Sequence, residues 1–176
     1  LRRGPRHLLP GRAAAGPHAV VTRIVSLDVG SSSVRAVAYD DRGVAEPGDA
    51  HLAYFSYDAD ELVAACRTVL AQVGEGDGLA VSCFWHSLLP LDAHGRPLAH
   101  VQTWRDLAGA PPPHLEPAAY HRRTGCFLHP AYWPAKVGLF PQAARYVSFS
   151  DYLLERLTGE LRTSVSMASG TGLFDP

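Results

Sequence analysis

A chain of 176 residues with 47% apolar and 19% charged residues has material for one domain with a sizeable core and too little for two full ones. Its net charge of -1 excludes the strongly basic surface that nucleic acid or an acidic membrane would select. Cys66, Cys83 and Cys126 show no paired spacing, so neither a disulfide framework nor a zinc knuckle is indicated; no long apolar run marks a membrane span, and a reducing cytoplasm is the expected compartment.

Residues 1–23 carry five arginines and no acid, with scattered Gly and Pro and no helical or strand period. They read as a disordered or non-native tail, and the fold is expected to begin at Ile24. "RIVSLDVG" and "SVRAVAYD" follow as two strands about a tight turn, with Ser26 and Asp28 on one face and Val25, Leu27 and Val29 on the other. A third strand over 50–57 completes a meander. In "DADELVAACRTVLAQVG" the period changes: Leu62, Val63, Cys66, Val69, Leu70 and Val73 form a helical stripe. Asp58 and Glu61 read as a capping box and Gly74 as the stop. "GLAVSCF" is continuously apolar, which points to a strand buried on both faces.

"LLPLDAHGRPLA" then reads as a hairpin around His94 and Gly95, and "GAPPPHLEP" as a stiff connector. Residues 116–123 and 134–145 are weaker helix candidates. "SFSDYLLERLTGE" is a strong one, capped by Ser148 or Ser150 and ended at Gly159. Strands, a helix and a further strand in this order indicate an α/β sheet domain.

The turn "DVGSSSVR" is the first place where chemistry is legible. Small residues at Gly30, Ser31, Ser32 and Ser33 let backbone amides approach an anion, and the serine hydroxyls add donors. Asp28 beside them can hold Mg²⁺ through water, and Arg35 can neutralise phosphate charge. The same tetrad also fits an ordinary hairpin turn with an exposed aspartate, and the turn alone does not choose between the two.

Later blocks occur in a fixed order: "SCFWHSLLPLDAHGRPL", "TWRD", "YHRRTGC", "YWPAK" and "SFSDYLLERLTGELRTSVSMASGTGLFD". Together with the turn they resemble the amino-terminal domain of the FGGY family of carbohydrate kinases, with gluconate and xylulose kinases the nearest in motif. The resemblance covers residues 24–175. It implies a ribonuclease H-like α/β fold of the actin/hexokinase superfamily, here truncated, with ATP between two such domains and the sugar deep in the cleft.

By that resemblance Asp28 sits near Mg²⁺, and Gly30, Ser31, Ser32, Ser33 and Arg35 face the phosphates of ATP. Trp85 and His86 reach the polyol, where a ring nitrogen can hydrogen-bond a sugar hydroxyl; the alternative is a satisfied histidine at a strand end. Asp106 and Tyr132 are further substrate-binding candidates. His129 either faces the cleft or caps its loop. Trp104 and Trp133 are read as core aromatics, and Lys136, the only lysine, as an exposed residue without functional weight. The run from Thr163 is read as a packed crossover near the sugar.

Two departures stand out: Ala108 replaces an arginine common after the "TWRD" aspartate, and Ser31 replaces a usual threonine. No aspartate here, among them Asp92, Asp151 and Asp175, matches the family's base, so no catalytic residue is named and the base is expected beyond Pro176. The expected organisation is therefore a tail over 1–23, a partial substrate-side domain over 24–176, and no adenosine-binding domain within the chain. The expected activity of the intact protein is ATP-dependent phosphorylation of a sugar or sugar acid, with this chain inactive alone. A non-catalytic sugar-binding or regulatory remnant is the second reading, and a sugar-unrelated ATPase of the actin and Hsp70 type the third. A small-molecule sugar is the expected partner, nucleic acid and membrane are not, and homo-oligomer formation stays open.

Overall fold

The computed structural model describes residues 22–174. The proposed tail, up to residue 21, and Asp175 lie outside the described residues. The chain divides into two compact units, the first ending at Tyr54 and resuming over Ala64–Ser82, the second made of Phe55–Val63 and the chain from Cys83 onward.

In the first unit, alternating apolar residues build β1 (Arg23–Val29), β2 (Ser33–Asp40) and β3 (Ala50–Ala53). They form the expected antiparallel meander: Leu27 pairs with Ala36, Asp28 with Arg35, and Arg35 with His51. Val25, Leu27, Val29, Val34, Ala36, Ala38 and Ala50 are all buried on the inner face. The third strand stops at Ala53, short of the expected 57, because the Tyr54 amide turns to the Ser32 carbonyl at 2.9 Å. Arg23 belongs to the fold, not to the tail. Its guanidinium reaches Glu46 at 2.8 Å, the Val73 carbonyl at 3.0 Å and the Glu75 carbonyl, while Asp77 accepts from its amide and from Thr22.

Helix α1 (Ala59–Val73) matches the helical stripe, with Leu62, Val63, Cys66 and Val69 buried. Asp58 accepts from the Asp60 and Glu61 amides at 3.0 Å each, as a cap should. The expected return bond of the capping box is made by Ser56, whose hydroxyl takes the Asp58 amide at 3.1 Å. Strand β4 (Gly78–Cys83) joins the sheet beyond β1, giving the order β3-β2-β1-β4. It is an edge strand, not the doubly buried one expected, with Leu79 38% and Val81 44% exposed. A short apolar run reports hydrophobicity but not how many faces are covered.

The second unit is organised by β5 (Leu89–Leu91), which pairs antiparallel with β6 (Arg145–Val147). Leu88, Leu89, Leu91, Val101, Phe149, Tyr152 and Leu153 form its core, each no more than 1% exposed. The expected hairpin is present, and Asp92 organises it: its carboxylate accepts from the His94 amide at 2.7 Å and from the Arg96 amide and side chain at 2.9 and 2.8 Å. These donors hold the Asp92 carboxyl down at about 2, the Arg96 amide contributing most.

Further along, α2 (Pro117–Thr124) starts on a Glu116 cap and ends at Gly125. The helix expected over 134–145 is instead a single turn, α3 (Trp133–Lys136), followed by a 3-10 turn (Val137–Leu139) and β6. Pro141 and the Phe140–Ala143 turn end any helical run there. Helix α4 (Phe149–Thr158) takes Ser148 as its cap and Gly159 as its left-handed stop. The crossover after Thr163 contains a short helix, α5 (Val165–Gly170), that its Ser/Gly/Ala composition did not announce.

Candidate functional site

In the first unit, the Gly30 amide donates back across its turn to the Ser33 carbonyl at 2.9 Å, and the Gly30 carbonyl accepts from the Tyr54 hydroxyl. A Cβ at Gly30 would lie 3.3 Å from the Ser33 oxygen, a tight contact that a small shift of the turn would have to relieve. Of the amides assigned to an anion cradle, that of Gly30 is committed within the turn. Asp28 and Arg35 are cross-strand partners, both exposed on the outer sheet face. Arg35 also lines a shallow depression with Tyr39, Glu46 and His51. Among the described residues no three acidic, histidine or cysteine side chains gather as a metal site, so Asp28 offers an ion one carboxylate and otherwise water.

In the second unit, a cavity of about 480 Å³ is lined by Trp85, His86, Cys126, Phe127, Tyr132 and Gly170. Three of the four substrate-binding candidates are therefore brought together. His86 has φ of 59°, the only left-handed conformation at a residue other than glycine among those described. Such backbone costs of order 1–2 kcal/mol and persists where its surroundings impose it. The Tyr132 ring lies 4.3 Å from the imidazole and Trp85 5.8 Å, edge-on.

His86 Nδ1 is 3.2 Å from the Gly170 carbonyl oxygen. A carbonyl only accepts, so Nδ1 carries the proton and Nε2 of the neutral ring is left as an acceptor. Burial lowers the imidazole's pKa, the Gly170 bond opposes this, and the nearby Lys136 charge lowers it further. A cavity with a polarised acceptor and aromatic walls suits a hydroxylated ligand, its C–H faces on the rings and a hydroxyl donating to Nε2.

Asp106 does not line this cavity. Its carboxylate folds back on its own loop, accepting from the Thr103 amide at 2.6 Å and hydroxyl at 3.0 Å. His129 caps the loop, its Nδ1 accepting from the Ala131 amide at 3.1 Å. Trp133 is a core residue as expected, 8% exposed, but Trp104 is 49% exposed under the Arg105 guanidinium, contrary to its reading as core. The larger correction is Lys136, which is fully buried. Its ammonium donates to the Thr103 carbonyl, and its pKa is lowered by burial, with Asp106 opposing.

Sequence reasoning also missed Gly170. A Cβ there would lie 2.4 Å from the Trp85 ring, so only glycine lets α5 meet that indole. The small-residue run "SMASGTG" was the available signal. Cys126 and Phe127 carried none.

The sequence is 31% identical to the xylulose kinase of Streptomyces rubiginosus over 127 residues, 64% of this chain and 26% of that enzyme. A second xylulose kinase, from Streptomyces coelicolor, is 34% identical over 126 residues. In fold, the gluconate kinase of Lactobacillus acidophilus superposes with a TM-score of 0.71 over 89% of this chain and 37% of that one, at 24% identity. The xylulose kinase of Rhodospirillum rubrum gives 0.75 over 87% and 38%, at 19% identity.

In sequence the chain is similar to two xylulose kinases, and it shares its fold with solved gluconate and xylulose kinases. Its α/β architecture is the actin/hexokinase-like one that the motifs led us to expect, and the chain spans about a quarter of the length of the curated relatives it matches. No family model matches it. Among the described residues, no helix is long and apolar enough to cross a membrane.

Proposed function

We propose that this chain is the sugar-holding, phosphate-facing part of an FGGY-type carbohydrate kinase that transfers the terminal phosphoryl group of ATP to a hydroxyl of a sugar or sugar acid. The observation that carries the reading is His86: a strained, neutral histidine with its Nδ1 proton committed to Gly170 and two aromatic rings beside it. In this role Nε2 accepts a hydrogen bond from a substrate hydroxyl, Tyr132 and Trp85 cover the carbon skeleton, and Gly170 fixes the tautomer.

The turn at Gly30–Ser33 and the outward-facing Asp28 and Arg35 are assigned to the nucleotide. Serine hydroxyls and the guanidinium would hold phosphate oxygens, and Asp28 would hold a water of Mg²⁺. One exposed carboxylate fits an ion that keeps most of its hydration shell. Magnesium would neutralise the developing charge of phosphoryl transfer. The substrate hydroxyl must lose its proton during transfer, and no residue of this chain is assigned as the base. We place the reaction in the cytoplasm, where ATP and free sugars meet.

Calorimetric titration of the protein with xylulose, gluconate, ribulose and glycerol tests the sugar reading. Binding of one of them, abolished or weakened at least about tenfold by His86→Leu, is the expected result. Absence of binding by all four in folded protein would remove it. Sugar binding by the intact gene product without ADP release would favour the non-catalytic alternative.

A further inference from the structure

Among the described residues Lys136 is the only charged side chain in the buried class, and it is 0% exposed. Taking an ammonium out of water costs several kcal/mol unless it is well bonded, so its place needs a reason. Its Nζ donates to the main-chain carbonyl of Thr103. One turn earlier on α3, Trp133 Nε1 donates to the main-chain carbonyl of Ser87 at 2.9 Å, also buried. Leu88 and Gln102 form an antiparallel bridge, exchanging both amides at 2.8 Å, which makes Ser87 and Thr103 cross-strand neighbours. Two donors three residues apart on one helical turn thus grip the two carbonyls of a single cross-strand pair, directly beside His86.

We propose that Lys136 is a positioning residue for His86: with Trp133 it clamps the Ser87–Thr103 pair and so imposes the left-handed turn that presents Nε2 to the cavity. Asp106 completes the device. By holding the Thr103 amide and hydroxyl it fixes the residue whose carbonyl Lys136 grips, and its charge balances the buried ammonium.

This proposal rests on the assignment of His86 to the sugar, yet it has a consequence that needs no sugar. The titratable groups around His86 are Tyr132 on its ring, Cys126 in the lining of the same cavity, and Lys136, whose charge acts on the imidazole; Asp106 acts on Lys136, His100 lies 3.8 Å from Asp106, and His129 adjoins Tyr132. Lys136 is the only lysine, so protein grown on lysine carrying ¹³C at Cε yields one lysine signal. That signal should move as His86 titrates, and the movement should vanish in His86→Gln. In folded Lys136→Met, which keeps the stem and removes the charge, the His86 imidazole should titrate at higher pH, and xylulose should bind about tenfold more weakly, the loss expected when a positioned hydrogen bond is spoiled.

A lysine signal indifferent to His86, or a folded Lys136→Met variant with unaltered His86 titration, would overturn the proposal. Should Lys136→Met fail to fold, the wild-type lysine titration decides alone. If the two titrations are coupled while xylulose binds neither protein, the clamp stands and the sugar assignment falls.

Discussion

At the scale of single residues, His86 concentrates the tension between stability and function. Its left-handed backbone is paid in stability, and the cost can be separated from the side chain by comparing His86→Gly with His86→Ala. Both lose the imidazole, so the glycine variant should be more stable by about 1 kcal/mol in urea unfolding; equal stabilities would show that the backbone is not strained. The same residue makes stability depend on pH. Burial holds its folded-state pKa below the ordinary 6.5, so the unfolded chain binds a proton first as pH falls. Stability from this group is intact above 6.5 and is lost as pH drops from there toward the folded value. Urea midpoints at about pH 8 and about pH 5.5 should differ more in the wild type than in His86→Gln. Gly170→Ala should cost about 1–3 kcal/mol by overpacking, because the new methyl has no room beside Trp85; thermal melting measures it.

At the scale of elements, the structure distinguishes the two serines that competed for the start of α4. Ser148 accepts from the Asp151 amide at 3.1 Å, whereas Ser150 lies inside the helix and meets the Ser148 hydroxyl at 2.8 Å. Ser148→Ala should therefore cost about 1 kcal/mol, and Ser150→Ala less than about 0.5 kcal/mol, a difference chemical denaturation resolves. The elements readable in advance were those with a long period and a stop signal: the β1–β2–β3 meander, α1 with Asp58 and Gly74, and α4 with Gly159. Strands of three residues show no period, which is why β5 was visible only as part of a hairpin and β6 not at all. The cavity was half legible. Trp85, His86 and Tyr132 were nominated by the motif resemblance, but Lys136 was misjudged because lysine is almost never fully buried, and the burial that gives it meaning comes from Trp133, Thr103 and Asp106 together.

At the scale of the whole molecule, two properties follow from what the chain contains. Phosphoryl transfer needs a base for the attacking hydroxyl, and none of the aspartates in the two units carries that assignment. Purified residues 1–176 mixed with ATP, Mg²⁺ and xylulose should release no ADP above background; turnover in a coupled assay would overturn this expectation. Strand β4 also leaves Leu79 and Val81 open at the margin of its sheet. An apolar, unpaired strand margin recruits other chains, and a charge there discourages them. Val81→Lys should lower self-association measured by light scattering, with little change in the melting temperature.

The sealed position of Lys136 has a practical corollary for handling the protein. While the fold is closed, acylating reagents such as succinimidyl esters find no ε-amine to attack, so coupling is confined to the α-amine. Each transient opening of the second unit uncovers one nucleophile, and the rate at which that one peptide gains mass in a spectrometer becomes a clock for local unfolding.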